Sequence, residues 1–367
     1  MILNRMASRC YLLFALVLLI GIASCGKDKD EVAPPPVIIT PTISKMDSGL
    51  RKVVTFPVGS AMDFASLQNN PAKFTLFKHE FNSWTPENAG KFSSYHLSAN
   101  TYNWTNLDAL VSNAQSNNMR VHGHTLIWHT DQGAPAWVKS FQGDSAAWEQ
   151  LMQDHIITTV AKYKGKMAAW DVVNEAMADG GQIPSSDLQA GKWMGQLRAP
   201  GSNIWRQKLG DGYLERAFKY ARQADPACQL FYNDYNLETD ATKRTATYNM
   251  IKDMVARGVP IDGIGFQGHL SVNQNMSTFI AMLQQFATLK NANGKGLMIH
   301  ISELDVICNP GKAQNFIYTD AIAKQQAQVF AAVVKAYREN VPAAQQYGIT
   351  FWNLSDGDSW LRNHDNV

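Results

Sequence analysis

The sequence is poor in what several large function classes need. Only four of its 367 residues are cysteine, and two of these, Cys10 and Cys25, lie at the head of the chain. Cys228 and Cys308 remain, which allows one disulfide or two free thiols, and they form no CxxC pair. There is no HExxH either, so no metal site is expected, and nothing calls for an organic cofactor. An excess of charge of one sign is also missing. Thirty-three Lys and Arg against 31 Asp and Glu leave a net charge of +2, so nothing points to nucleic acid or to a polybasic membrane patch. No GxGxxG follows the first predicted strand, which weighs against a dinucleotide-binding sheet.

What is present begins with a targeting signal. MILNRMASRC carries Arg5 and Arg9, and YLLFALVLLIGIA follows as an apolar stretch. This is the pattern of a secretory signal, short for a stable membrane span. Ile22-Ala23-Ser24-Cys25 resembles a bacterial lipobox. Residues 1–24 are therefore expected to be a lipoprotein signal peptide, and Cys25 the lipidated mature N-terminus. An ordinary signal with an incidental Cys is the alternative. Residues 25–44, including GKDKDEVAPPP, read as a polar, Pro-rich tether. Its acidic residues resemble export signals of surface lipoproteins in some Gram-negative bacteria. The expected location is a bacterial cell envelope, lipid-anchored, with the outer surface open as the face.

From residue 45 to 367 the composition does not shift again, so one domain is expected. Eight short apolar segments read as strands: PVGSAMDF, FTLFKHEFN, RVHGHTLIWH, MAAWDVVNE, QLFYNDYN, GIGFQGHL, LMIHISELDV and GITFWNLSD. Helical segments such as YLERAFKYARQADP and TATYNMIKDMVARGVP separate them. Eight alternating units predict an α/β fold, a (β/α)8 TIM barrel, with an open doubly wound sheet as the alternative. Polar and aromatic residues collect at the strand ends. They are Glu80 and Asn82, then His124, Trp128 and His129, then Asn174 and Glu175, then Asn233 and Asp234. Gln267 and His269, Glu303 and Asp305, and Trp352 follow. In a barrel these ends share one face, where active sites sit.

Two acids stand out, Glu175 on the fourth strand and Glu303 on the seventh. Carboxylates facing each other across a cleft suit glycoside hydrolysis. A gap of about 5–5.5 Å means a retaining reaction and about 6.5–9.5 Å an inverting one, which spacing in sequence leaves open. A structural ion pair is the plain alternative for either acid alone. Glu303 and Asp305 are two apart on a strand and share a face, so they need a donor between them. His269 is the candidate.

GHTLIWH, WDVVNEA, GFQGHL, SELDV and WNLSDGDSW, in that order, closely resemble the family 10 glycoside hydrolases, the endo-β-1,4-xylanases. HEFNSWTPENAGKF and NDYN resemble two further family segments, and the resemblance runs from about Leu50 to Trp360. It implies endo-acting hydrolysis of xylan or xylo-oligosaccharides with retention. Glu175 would be the acid/base, its pKa raised by the charge of Glu303, and Glu303 the nucleophile. His269 and Asp305 would orient Glu303, with Gln267 in the same network, and Asn174 would bond the sugar 2-OH or the nucleophile. Glu87, Asn88, Lys91, His124 and Trp128 would bind the glycone sugars, with Gln132 assigned there too. Trp352 and Trp360 would wall the cleft. Trp170 lies deeper in its strand and reads as packing. A monomer is expected. A β-1,4-glucanase-type glycosidase on the same fold and a non-catalytic glycan-binding lipoprotein are the alternatives.

Several positions depart from the family pattern. Gly90 and Phe92 flank Lys91 where Met and Trp are usual, and Asn353 stands where Gly is frequent. A long loop, ADGGQIPSSDLQAGKWMGQLRAPGSNIW, follows Glu175. Trp193 and Arg198 could extend substrate contact there, or the loop is a solvent-facing flap. Only LRNHDNV follows Trp360, so the last loop and eighth helix are expected to be missing and the barrel C-terminally truncated. Strands eight and one should then lose apolar cover, and the 367-residue form is expected to express weakly or insolubly.

Overall fold

The computed structural model describes residues 48–180 and 193–364. The signal peptide, Cys25 and the tether lie outside the described residues, as does the middle of the loop after Glu175. Eight parallel strands close into a barrel: β1 (Val58–Ala61), β2 (Ser83–Thr85), β3 (Arg120–Gly123), β4 (Ala169–Asn174), β5 (Gln229–Asp234), β6 (Gly263–Phe266), β7 (Met298–Ile307) and β8 (Gln346–Trp352). Each pairs with its neighbour, and the ring closes where Val58 of β1 registers with Ile349 of β8. The TIM barrel is thus present, and the open-sheet alternative is excluded.

Helices cover the outside: α1 (Pro71–Glu80), α2 (Thr105–Ser116), α3 (Ser145–Lys162), α4 (Tyr213–Ala224), α5 (Ala241–Ala256), α6 (Met276–Phe286) and α7 (Asp320–Asn340). Five of the seven start at a side-chain cap. Asp144 accepts a bond from Ala147 N at 2.9 Å, and Asp240 one from Lys243 N at 2.9 Å, which satisfies amides that a helix end leaves free.

One expected strand is corrected. FTLFKHEFN is not β2; most of it forms α1, and β2 starts only at Ser83. Asn70 caps this helix by accepting from Lys73 N, and Pro71 occupies its first position, a strong start signal. Phe74, Phe77 and Phe81 recur at helical spacing, and the rings of Phe74 and Phe77 pack on Trp84 of β2 at 6.1 and 4.7 Å. Glu80 is therefore not at the barrel mouth. Its carboxylate accepts from Leu50 N at 2.8 Å, while Asn82 accepts from Val58 N at 2.9 Å, both at the entry of the strands.

The barrel interior is filled by side chains. Phe231 packs against Tyr347 with ring centroids 4.6 Å apart, and Arg120 lies over Tyr347 at 3.8 Å. His122 and His300 complete this layer. Trp170 is fully buried, as expected of a packing residue. Outside β8 runs a groove of about 910 Å³ between α1 and α7, along which Leu76, Phe330 and Phe351 are only half-buried. The described chain beyond β8 carries one short helix, Leu361–His364. Among the described residues Cys228 and Cys308 form no disulfide with each other, and no helix is long and apolar enough to cross a membrane.

Candidate active site

The strands end raggedly at the mouth, which is where their polar residues turn inward. β3 stops at Gly123, and Ile127 and Trp128 resume pairing against Val173 and Asn174. β6 stops at Phe266. Gly268 then takes φ +76°, which a Cβ would oppose, and His269 pairs with Asp305 beyond β7's bulge. Glu175 itself sits at φ +54°, so its carboxyl leaves the strand line and enters the cleft. Its amide still donates to Asn233 O at 2.8 Å, holding that turn to β5.

Around Glu303 the side chain of His269 lies between two acids. Nε2 is 3.2 Å from Glu303 Oε2, and Nδ1 is 3.0 Å from Asp305 Oδ1. Burial works against the imidazolium, but Asp305 and then Glu303 outweigh it and raise the His269 pKa to about 10. Burial also pushes the Glu303 carboxyl up, yet the hydrogen bond from His269, followed by His124 and the charge of His269, prevails and holds it below the ordinary Glu value. Its other oxygen, Oε1, accepts from Asn233 Nδ2 at 2.8 Å. Glu303 is thus a carboxylate with both oxygens occupied by donors.

Glu175 is poised the opposite way. Burial leads in raising its pKa; Asp234 and, to a lesser degree, Glu303 add to it, while the donors Gln267 and Trp128 oppose. The charge of Glu303 is thus a minor cause and desolvation the main one, which corrects the expected origin of the shift. Trp128 Nε1 donates to Glu175 Oε2 at 2.9 Å and Gln267 Nε2 to Oε1 at 2.9 Å. Gln267 therefore has its side chain on Glu175 rather than directly on the Glu303–His269 pair, to which it is joined by Glu303 N donating to Gln267 O at 2.8 Å and through Asn174, whose Oδ1 accepts from Gln267 Nε2 at 3.3 Å. Asn174 links Glu175 to Glu303 by way of Asn233. Its amide lies 3.4 Å from Glu175 Oε1, and its Oδ1 accepts from Asn233 at 3.0 Å.

On one side of the acids lies a polar and aromatic floor. Lys91 Nζ donates to Asn88 Oδ1 at 3.1 Å and faces the Trp128 ring at 5.6 Å. Burial lowers its pKa, with Glu303, Glu87 and Glu175 near enough to counter that. Glu87 is pushed up by burial, and the amide of Asn353 beside it works the other way. The His124 ring meets Trp352 edge-on at 5.4 Å. Trp360, partly exposed, packs edge-on against His269 at 5.1 Å and donates to Asp305 Oδ2 at 2.9 Å. Gln132 is exposed, and its backbone carbonyl accepts from Ser93 N at 2.9 Å.

The family model for glycosyl hydrolase family 10 matches residues 50–366. The chain belongs to glycosyl hydrolase family 10. It is similar to endo-beta-1,4-xylanase Xyn10C of Cellvibrio japonicus, 36% identical over 320 residues that cover 83% of this chain and 50% of that protein. It is also similar to endo-1,4-beta-xylanase B of Thermotoga neapolitana, 35% identical over 82% of this chain and 77% of that protein. The crystal structure of xylanase 10B from Thermotoga petrophila in complex with xylobiose superposes with a TM-score of 0.73 at 33% identity, covering 86% of this chain and 88% of that one. The chain spans about half the length of the Cellvibrio japonicus xylanases it matches.

Within this family 10 barrel, two departures have structural reasons. Asn353 has φ +82°, a conformation that glycine adopts freely and that Asn tolerates better than most residues. At Gly90 an added Cβ would stand 2.5 Å from His124 O, so a larger residue there needs a shifted backbone. Four further residues support the site and were not singled out as site residues from sequence. Asn233 and Ser302 are linked at 2.6 Å behind Glu303. Asp171 holds His122 and His124, each at 2.9 Å, and these neighbours overcome burial to keep the Asp171 pKa far below its usual value. The NDYN and WDVVNEA motifs contained the signal for Asn233 and Asp171; nothing local marked Ser302 or His122.

Proposed function

We propose that this chain is an endo-β-1,4-xylanase acting by retaining double displacement. One observation carries the reading. Two carboxylates, Glu175 just past β4 and Glu303 on β7, are joined through Asn174 and Asn233 yet shifted in opposite directions, the Glu303 pKa lowered and the Glu175 pKa raised. That pairing is what nucleophile and general acid need. Glu303 attacks the anomeric carbon while Glu175 protonates the leaving oxygen. Forming the glycosyl ester removes the charge of Glu303, so the pKa of Glu175 falls and Glu175 takes a proton from the incoming water. Asn174 and Asn233 place amides beside the sugar 2-OH, where a bond that tightens in the transition state speeds the reaction. Glu87, Asn88, Lys91, His124, Trp128 and Gln132 bind the glycone side, and Trp352 and Trp360 wall the cleft. Residues 1–24 direct export, and lipidated Cys25 anchors a monomer to the cell envelope.

Hydrolysis of xylan by the protein, with Glu175→Ala and Glu303→Ala beside it, tests the roles. Each variant is expected to lose xylan turnover, and near-normal turnover by either sinks the assignment. Product release from xylan but not from carboxymethylcellulose separates xylanase from glucanase. Xylan binding without release of reducing sugar marks a binding protein instead. Retention shows as β-anomeric product at early times by proton NMR. Membrane retention that survives Cys25→Ala would count against the anchor.

A further inference from the structure

The loop after Glu175 is stitched back onto its own start. Ala178 N donates to Gln196 O at 3.0 Å and Arg198 N to Ala176 O at 2.9 Å, with Met177 and Leu197 bridged between them. This antiparallel stem brings Arg198 beside the acid/base. Trp193, at the same end of the loop, turns away and donates to Asp253 Oδ2 of α5 at 2.7 Å, so it is an anchor to the barrel wall. Arg206 fixes the stem from outside by donating to Leu197 O at 2.7 Å and Arg198 O at 2.9 Å.

Arg198 is only 9% exposed, so it is neither a solvent-facing flap residue nor an open arm for distant sugars. Its Nε donates to Glu175 O at 2.9 Å. Its Nη2 donates to Tyr235 OH at 2.5 Å, and Nη1 lies 3.7 Å from Asp179. Glu175 is thus held from both ends of its peptide unit in a left-handed conformation. Asn233 O takes its N–H and Arg198 takes its C=O. Lys243, buried and paired with Asp234 at 2.8 Å, supports Tyr235 from beneath at 3.4 Å.

We propose that Arg198 is a positioning residue for the general acid: it fixes the backbone of Glu175 so that the carboxyl points at the leaving-group oxygen. The inference rests on the acid role proposed for Glu175. A guanidinium suits this task because its planar fork serves the carbonyl and the phenol together, which an ammonium cannot do. Misaiming a proton donor by a fraction of an ångström costs catalysis without removing any sugar contact.

The test compares aryl β-xylobiosides that share one glycone. A phenyl leaving group needs a proton; a 2,4-dinitrophenyl group does not. For Arg198→Ala, kcat/KM is expected to fall by about 10²-fold with the phenyl substrate and by less than about threefold with the dinitrophenyl one. Arg198→Lys, which keeps the charge, should show the same pattern at intermediate size and serves if the alanine variant fails to melt cooperatively. Equal losses on both substrates, or no loss on either, overturn the inference. Glu175→Ala is run alongside. If it shows no leaving-group dependence, the acid assignment itself fails; if it does and the Arg198 variants do not, only the positioning role fails.

Discussion

Asn233 donates to Glu303 Oε1 at 2.8 Å while the same amide nitrogen reaches Asn174 Oδ1 at 3.0 Å. One side chain on β5 thereby joins the residue beside the acid to the nucleophile. The bond favours the ionised form of Glu303, so its removal must raise the Glu303 pKa. Asn233→Ala is expected to shift the acid limb of the kcat/KM profile upward and to lower kcat roughly tenfold or more, since a bond to a charged group is lost. An unchanged acid limb would show that Asn233 only packs.

The two acids predict a bell-shaped pH profile for kcat/KM. Glu303 is held below the ordinary Glu range and Glu175 is pushed above it. Activity should rise as Glu303 ionises and fall as Glu175 loses its proton. Glu175→Gln should abolish the basic limb and cost about 10²- to 10⁴-fold on xylan. A basic limb that persists in this variant belongs to another group.

His269 makes a separate prediction about stability. Its folded pKa, about 10, exceeds the usual unfolded value near 6.5. Its contribution is therefore fully present below pH 6.5 and is lost as pH rises through about 10. Compared with His269→Gln, the wild-type Tm should hold an advantage at pH 6 that narrows steadily toward pH 10. A constant difference across that range would mean His269 is not charged between Glu303 and Asp305.

Gly123 tests the packing that carries the site. A Cβ there would lie 2.2 Å from the buried ring of Trp170. Overfilling a close-packed interior costs about 1–3 kcal/mol, so Gly123→Ala should lower the denaturant midpoint measurably with little change in slope. Because β3 and β4 meet at this pair, activity is expected to drop with it.

Much of the architecture was legible because strands and helices alternate with distinct periods, and because the chemical residues gather at strand ends. WDVVNEA and SELDV marked Glu175 and Glu303 outright. FTLFKHEFN misled because phenylalanines at helical spacing also leave apolar residues near alternate positions, and the start signal Asn70-Pro71 was passed over. Arg198 was legible only as a possible substrate contact in a long loop, not as a partner of the Glu175 backbone. Its place depends on backbone bonds between Ala176 and Arg198 that have no signature in side-chain identity.

By itself the sequence determined the ring of alternating units, the pair of acids and the histidine set against them. These follow from local periodicity and from which residue types can do acid–base chemistry. Tertiary structure alone decided in which direction each acid's pKa is shifted. Glu175 and Glu303 are the same residue type at similar strand ends. Glu175 has a neutral tryptophan and amide for partners, while Glu303 lies beside an imidazolium that Asp305 keeps charged. Desolvation and partner charge act through distance in three dimensions, and residues 175, 233, 267, 269 and 303 become neighbours only when the barrel closes.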